Sequence, residues 1–201
     1  MPVCTVFAGP NGAGKSTAFS QIGPPGEFVN ADEIARRLDP LHPEAASLQA
    51  GRVVLTRVPE LIAQGADFTF ETTLSSHQSL AAMGRARQSG YRVELVFIGL
   101  RSPALHLARV EQRVAQGGHD IPDDIILRRY DRAFDNLPAG LKLAHSTAIF
   151  DNTERELHPL ARIDAGAIEF TMLKRGNALH VRIAAALADA FGLSDASIFA
   201  P

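Results

Sequence analysis

The sequence predicts an α/β fold in which a parallel sheet is covered by helices on both faces. Three observations carry that expectation. Short apolar runs alternate with helical stretches along the whole chain. A glycine-rich turn, Gly9 to Gly14, joins the first apolar run to the first helical one. No linker divides the 201 residues, so residues 1–201 are expected to form a single domain.

The elements follow in order. Val3-Cys4-Thr5-Val6-Phe7-Ala8 is short, apolar and stopped by a glycine, as a buried parallel strand should be. Lys15-Ser16-Thr17 open a helix, and Phe28-Val29-Asn30 form a second short strand. Asp32 begins a helical stretch through Leu38, with Asn30 as its cap. Pro43 suits the first turn of a long helix to about Gln64, disturbed at Pro59. Asp67 to Glu71 is the third strand, and a helix from Ser76 to Gln88 stops at Ser89-Gly90. Val93 to Ile98 is the fourth strand, Pro103 to Ala115 a helix broken by Gly117-Gly118. Pro122 starts another helix through Phe134 or Leu137. Thr147 to Phe150 is the fifth strand, and residues 163–173 read as an edge strand or hairpin. The last helix is capped by Asn177, carries Leu179, Ile183, Leu187 and Phe191 at intervals of four, and ends at Gly192 before a loose tail.

Composition narrows the function classes. A charge of −2 gives no case for a broad nucleic-acid face, so nucleic acid is not an expected partner. No apolar run approaches spanning length, so no membrane partner is expected either. The N-terminus has no signal-peptide pattern, and Cys4 is the one cysteine, which fits a reducing, cytoplasmic setting. Cys4 reads as a small buried hydrophobe rather than a reactive thiol. The seven histidines show no metal-binding spacing.

Gly9-Pro10-Asn11-Gly12-Ala13-Gly14-Lys15-Ser16 fits G-x-x-x-x-G-K-[ST], a P-loop, between a predicted strand and a predicted helix. The glycines let successive N–H groups point into one concavity, and the helix start adds its positive dipole end. Lys15 reaches the β- and γ-phosphates, and Ser16 suits a Mg²⁺ ion. Thr17 reads as an α-phosphate contact or a plain helix residue. ATP or GTP is therefore the expected ligand.

The P-loop does not choose between hydrolysis and transfer. Strand Val93–Ile98 ends in Gly99-Leu100 without an acid, and neither Phe70-Glu71 nor Phe150-Asp151 is an Asp-Glu pair. No Leu-Ser-Gly-Gly-Gln transporter signature occurs. The acids fit a phosphotransferase better. Asp32 should face the crevice at the strand ends, where it can take a proton from an acceptor hydroxyl or simply decorate a helix start. Glu71 ends a buried strand and should point into the same crevice, as a site group or a structural ion pair. Arg109 and Arg113 share a helix face; Arg128, Arg129 and Arg132 follow beyond a glycine hinge. Together they read as a lid over residues 113–129 that supplies positive charge to a migrating phosphoryl group, or as ordinary surface arginines. His119 sits on that segment within phosphate reach, though a surface histidine is the commoner case.

Gly9–Thr17, Asn30-Ala31-Asp32-Glu33-Ile34-Ala35 and Glu71-Thr72-Thr73-Leu74-Ser75 resemble the zeta toxin kinase family. The run Arg113 to Pro122, with Gly117-Gly118-His119, and Arg128-Arg129-Tyr130 are similar to its small bacterial branch, loosely labelled as ABC-type ATPases. The resemblance covers about residues 3–153. It implies a P-loop nucleotide-kinase-like three-layer fold with a parallel five-stranded sheet and a helical lid. It also implies transfer of the γ-phosphoryl group of ATP or GTP to a small-molecule acceptor, UDP-N-acetylglucosamine or a related sugar nucleotide. Asp32 matches the general base, Glu71 the acid that holds the acceptor, and Arg113 with Arg128 or Arg129 the phosphate clamp; Thr72, Thr73 and His119 stand beside these as further candidate substrate contacts. Asn152 falls near the nucleotide base. A separate antitoxin protein is the implied partner. The alternative is a nucleotide-dependent binding module or slow NTPase switch acting through a protein partner.

Overall fold

The computed structural model describes residues 1–118 and 120–199; His119 and its expected phosphate contact lie outside the described residues. Among the described residues, seven strands form one sheet in the order β2-β3-β1-β4-β5-β6-β7. The strands are β1 (Val3–Ala8), β2 (Glu27–Val29), β3 (Phe68–Thr72), β4 (Arg92–Gly99), β5 (Ser146–Asp151), β6 (His158–Asp164) and β7 (Ala167–Thr171). The first five in this spatial order pair in parallel, as expected. The sheet is wider than the expected five strands because β6 and β7 extend it antiparallel from β5. The loosely alternating segment is thus the second half of a hairpin turned at Ala165-Gly166, both at positive φ. Its first half was hidden by Pro159, which has no N–H to give a ladder. Pro159 is tolerated because the register shifts beside its partner Phe150.

The helices are α1 (Lys15–Ile22), α2 (Ala31–Leu38), α3 (Ser47–Gln64), α4 (His77–Gln88), α5 (Pro103–Ala115), α6 (Asp123–Leu143), α7 (Ala178–Phe191) and α8 (Asp195–Ile198). Three differ from expectation. α3 starts at Ser47, because residues 43–46 are spent on turns bonded Ala46 N–H to Pro43 O and Ser47 N–H to Glu44 O. α6 runs six residues past Leu137, through the buried Pro138. A proline inside a helix costs about 3 kcal/mol. Here Leu137 and Leu141, 0% and 2% exposed, anchor the helix on the sheet and outweigh that cost. Through Phe199 the tail is not loose: α8 seats Ile198 in the core, and the Arg175 guanidinium lies 4.5 Å over the Phe199 ring.

The alternating side chains of β1 divide between two layers. Cys4, Val6 and Ala8 enter the main core with residues of α3, α4, α6 and α7. Phe7 faces α1, where it packs with Ala18 and Ile98. Burial pushes the Cys4 thiol up to about 12, so it stays protonated, as a core hydrophobe should. Val110, Ile121 and Ile126 form a separate apolar cluster between α5 and the start of α6. No helix among the described residues is long and apolar enough to cross a membrane.

Leu137 is fully buried where α6 meets the sheet. Leu137→Ala should lower unfolding stability by roughly 2–5 kcal/mol, read by urea denaturation, with little change in the denaturant slope.

Candidate active site

Parallel pairing brings the chemistry together. β1 and β3 lie side by side with Phe7 opposite Glu71 and Ala8 opposite Thr72. The two chains therefore emerge together at the C-terminal edge of the sheet, β1 into the P-loop and β3 into Glu71-Thr72-Thr73. That edge is where ligands sit in open parallel sheets.

The P-loop wraps the start of α1. Gly14 caps α1 at φ 90° with no side-chain cap, leaving the first N–H groups of the helix without an internal acceptor. A Cβ at Gly14 would run into the Asn152 amide, and one at Gly9 into the Ile98 carbonyl, so both glycines are needed for close approach. Lys15 is 6% exposed; its Nζ donates to Pro10 O at 3.2 Å and stands 3.6 Å from Glu71 Oε1. Ser16 Oγ donates to Glu71 Oε2 at 2.7 Å.

A cleft of about 840 Å³ runs outward from this loop. Lys15, Arg36, Arg109, Arg113, Arg129 and Arg155 line it, against the carboxylates of Asp32 and Glu71. A protein of net charge −2 thus carries a cleft with six basic side chains and two acidic ones, a setting for a polyanion.

Most of the expected residues meet here. Lys15, Ser16, Thr17, Asp32, Glu71, Thr72, Thr73, Arg113, Arg129 and Asn152 all line the cleft. Asp32 is the second residue of α2; Asn30 is the cap, so Asp32 is not spent on capping. Its carboxylate is half exposed, 3.7 Å from Arg113 Nη1. Arg129 is half-buried with its charged form disfavoured chiefly by burial and then by Arg128, while Asp32 opposes the shift.

One expectation is corrected, and two of the expected residues have structural partners of their own. Arg128 does not line the cleft; one residue is about 100° of helix, and Arg128 stands on the exposed side of α6 while Arg129 faces in. Glu71 is bonded to the P-loop residue Ser16, because β3 is the immediate neighbour of β1. Asn152 braces the P-loop: its Nδ2 donates to Ala13 O at 2.8 Å, and the residue is 7% exposed. Arg109 acts with it, donating to the carbonyls of Asn152 and Thr153 at 2.7 and 2.8 Å. The Gly117-Gly118 pair also has a local task. Gly117 sits at φ 83°, and the two N–H groups bond back to Val114 O and Arg113 O, closing α5.

The loop after β3 is held in an uncommon shape. Leu74 has φ 56°, is fully buried, and its carbonyl accepts from Asn136 Nδ2 of α6 at 2.8 Å. Thr72 Oγ1 meets Ser79 Oγ at 2.6 Å and accepts the Leu74 N–H at 3.0 Å. Ser75 and Ser76 thereby reach the cleft beside Thr73.

Sequence reasoning missed His106. It is fully buried under the P-loop, with Nδ1 2.7 Å from Asn11 O. A carbonyl can only accept, so Nδ1 carries the proton. Burial pushes its pKa down to about 4, and the charges of Lys15 and Arg109 add to that shift. The signal was present: His106 and Val110 are four apart on the inward face of α5. Arg36, Ser47, Gln112 and Arg155 also line the cleft without having been singled out.

Among the described residues, no group of three or more His, Cys, Asp or Glu could hold a metal. The Ser16 hydroxyl and the Glu71 carboxylate offer hard oxygen donors of the kind Mg²⁺ takes together with substrate phosphates.

The sequence matches the family described as AAA domain over residues 5–137. An uncharacterized protein of Haemophilus influenzae is 36% identical over 126 residues, covering 62% of this chain and 89% of that protein. A chain of the AvrRxo1-ORF1:AvrRxo1-ORF2 complex, solved with sulphate ions and with ATP, superposes with a TM-score of 0.62 at 18% identity. The match covers 84% of this chain and 60% of that one, so the chain spans about three fifths of its length. A chain of the PezAT chromosomal toxin–antitoxin system of Streptococcus pneumoniae superposes with a TM-score of 0.60 at 18% identity, covering 98% of this chain and 82% of that one. At these identities the likeness is one of fold. It bears out, at that level, the resemblance to zeta-type P-loop kinases.

The folded His106 is neutral, whereas an unfolded histidine gains a proton below its ordinary value of 6.5. Its contribution is therefore intact above pH 6.5 and is lost as pH falls toward 4, by about 1.4 kcal/mol per pH unit and about 3 kcal/mol in all. Urea unfolding between pH 7 and pH 5 should show a slope in the native protein that is shallower by about one proton in His106→Leu.

Proposed function

The chain belongs to the AAA domain family, and from that premise we propose that it is a kinase moving the γ-phosphoryl group of ATP or GTP to the hydroxyl of a small molecule. One observation carries this reading: a single positively lined cleft joins the P-loop to an exposed carboxylate, Asp32, that stands beside the arginines of α5 and α6. A carboxylate so placed can receive the proton of an acceptor hydroxyl as the phosphoryl group is transferred.

The chemistry is in-line displacement. The P-loop N–H groups and Lys15 hold the β- and γ-phosphates. Asp32 takes the proton of the acceptor hydroxyl as its oxygen bonds to the γ-phosphorus. The bond from that phosphorus to the β–γ bridging oxygen breaks, and the nucleoside diphosphate leaves. Arg113 and Arg129 stabilise the charge spread over the migrating group, and their segment, residues 113–129, acts as the lid that excludes water. Ser16 and Glu71 would hold a Mg²⁺ ion, which would supply neutralising charge to the phosphates. Asn11, Gly12 and Gly14 contribute backbone, Thr17 reaches toward the α-phosphate, and Asn152 keeps the loop in place.

Thr73, Ser75, Ser76 and Arg36, which also line the cleft, offer hydroxyl and cationic contacts. They suit a polyhydroxylated, anionic acceptor, and a sugar nucleotide such as UDP-N-acetylglucosamine has that character. The likeness in fold to PezAT and AvrRxo1-ORF1:AvrRxo1-ORF2, both two-component systems, supports a zeta-type toxin restrained by a separate antitoxin protein. ATP in one of those crystals supports ATP as donor.

Incubation with γ-labelled ATP, Mg²⁺ and a metabolite extract should yield a labelled small molecule. Asp32→Ala should lower its formation by roughly 10²- to 10⁴-fold while nucleotide affinity changes little. Lys15→Ala should weaken nucleotide binding itself. Full transfer by Asp32→Ala would remove Asp32 as the base, and nucleotide turnover without any labelled acceptor would favour an NTPase switch.

A further inference from the structure

Asn30 is 3% exposed and lines the cleft. Its Oδ1 accepts the N–H groups of Asp32 at 2.8 Å and Glu33 at 3.1 Å, capping α2. Its Nδ2 donates to Glu71 Oε2 at 2.8 Å. The orientation of the amide is fixed by its partners. Reversed, it would set an oxygen against a carboxylate and an NH₂ against two N–H groups. The same Glu71 oxygen accepts from Ser16 Oγ at 2.7 Å, and Glu71 Oε1 lies 3.6 Å from Lys15 Nζ. One carboxamide thus links the phosphate-binding residues, through Glu71, to the first turn of the helix that carries Asp32.

A helix cap alone does not require this residue. Serine, threonine or aspartate caps as well, but an aspartate has no proton to give Glu71, and a hydroxyl short enough to cap the helix lacks the reach of the carboxamide to Glu71 on the neighbouring strand. We propose that Asn30 is a positioning residue that couples nucleotide occupancy of the P-loop to the placement of Asp32. The proposal rests on the kinase reading of the cleft. A nucleotide seated on the P-loop draws Lys15 Nζ away from Glu71 to its phosphates. Glu71 then leans more on Asn30, the charge-assisted bond between them tightens, and the cap holds the N-terminus of α2 more firmly. The base is ordered when the donor phosphate is in place, and less so otherwise.

The test does not depend on knowing the acceptor. Binding of Mg²⁺ with a fluorescent N-methylanthraniloyl ATP is measured first, followed by hydrogen exchange at the Asp32 and Glu33 amides with and without Mg²⁺ and a non-hydrolysable ATP analogue. In the native protein the nucleotide should slow exchange at these amides about fivefold. Asn30→Ser keeps a cap oxygen and loses the reach to Glu71. Asn30→Asp keeps the cap and sets a second carboxylate against Glu71. Both should bind the fluorescent nucleotide within a few-fold of the native protein and melt within a few degrees of it, yet show no nucleotide-induced slowing. Slowing that survives in either variant overturns the coupling, as does unchanged exchange in a native protein that binds nucleotide. Failure of the native protein to bind nucleotide overturns the kinase reading on which the coupling rests.

Discussion

A carboxylate at the end of a buried strand is costly unless it is paired, and Glu71 is paired with Ser16, Asn30 and Lys15 at once. Much of the site's geometry follows from that arrangement. Glu71 can reach Ser16 and Lys15 because β3 lies directly beside β1 in parallel register. It can reach Asn30 because β2 is the next strand outward and ends at Val29. Three strand ends are therefore tied to one another by a single side chain.

The second support of the P-loop comes from the opposite side. Asn152, just past β5, holds the loop by Ala13 O, and Arg109 holds the Asn152 carbonyl in turn. His106 fixes the Asn11 carbonyl from below as a neutral imidazole. Its neutrality matters, because a cation buried next to Lys15 would compete with it for phosphate. The loop's backbone is thus held by side chains from α5 and β5, which leaves Lys15 and Ser16 to face the cleft.

The cleft also explains how a slightly acidic protein can serve a polyanionic ligand. The charge is not spread over the surface but gathered where α5, α6 and the turn after β5 converge. Arg113 and Arg129 approach Asp32 from two different helices. The small cluster of Val110, Ile121 and Ile126 keeps those helices together, separate from the main core. A segment with its own small core can shift without disturbing the sheet.

Local chemistry made much of this legible beforehand. The P-loop spacing, the alternation of strands and helices, the Asn30 and Asn177 caps and the boundaries of α5 are properties of neighbouring residues, and the sequence by itself determined them. Asp32 was legible as a crevice acid because its distance from β2 leaves it on the first turn of α2. Only the tertiary structure decided what Glu71 touches, which of Arg128 and Arg129 faces the cleft, and that His106 and Asn152 brace the loop. It also decided that α6 continues through Pro138 and that a hairpin widens the sheet. The reason is common to all of them. The side-chain contacts span 41 to 139 residues, α6 is held by burial against distant strands, and the hairpin forms by extending a sheet that is already there; no pattern within a local window records which element will arrive.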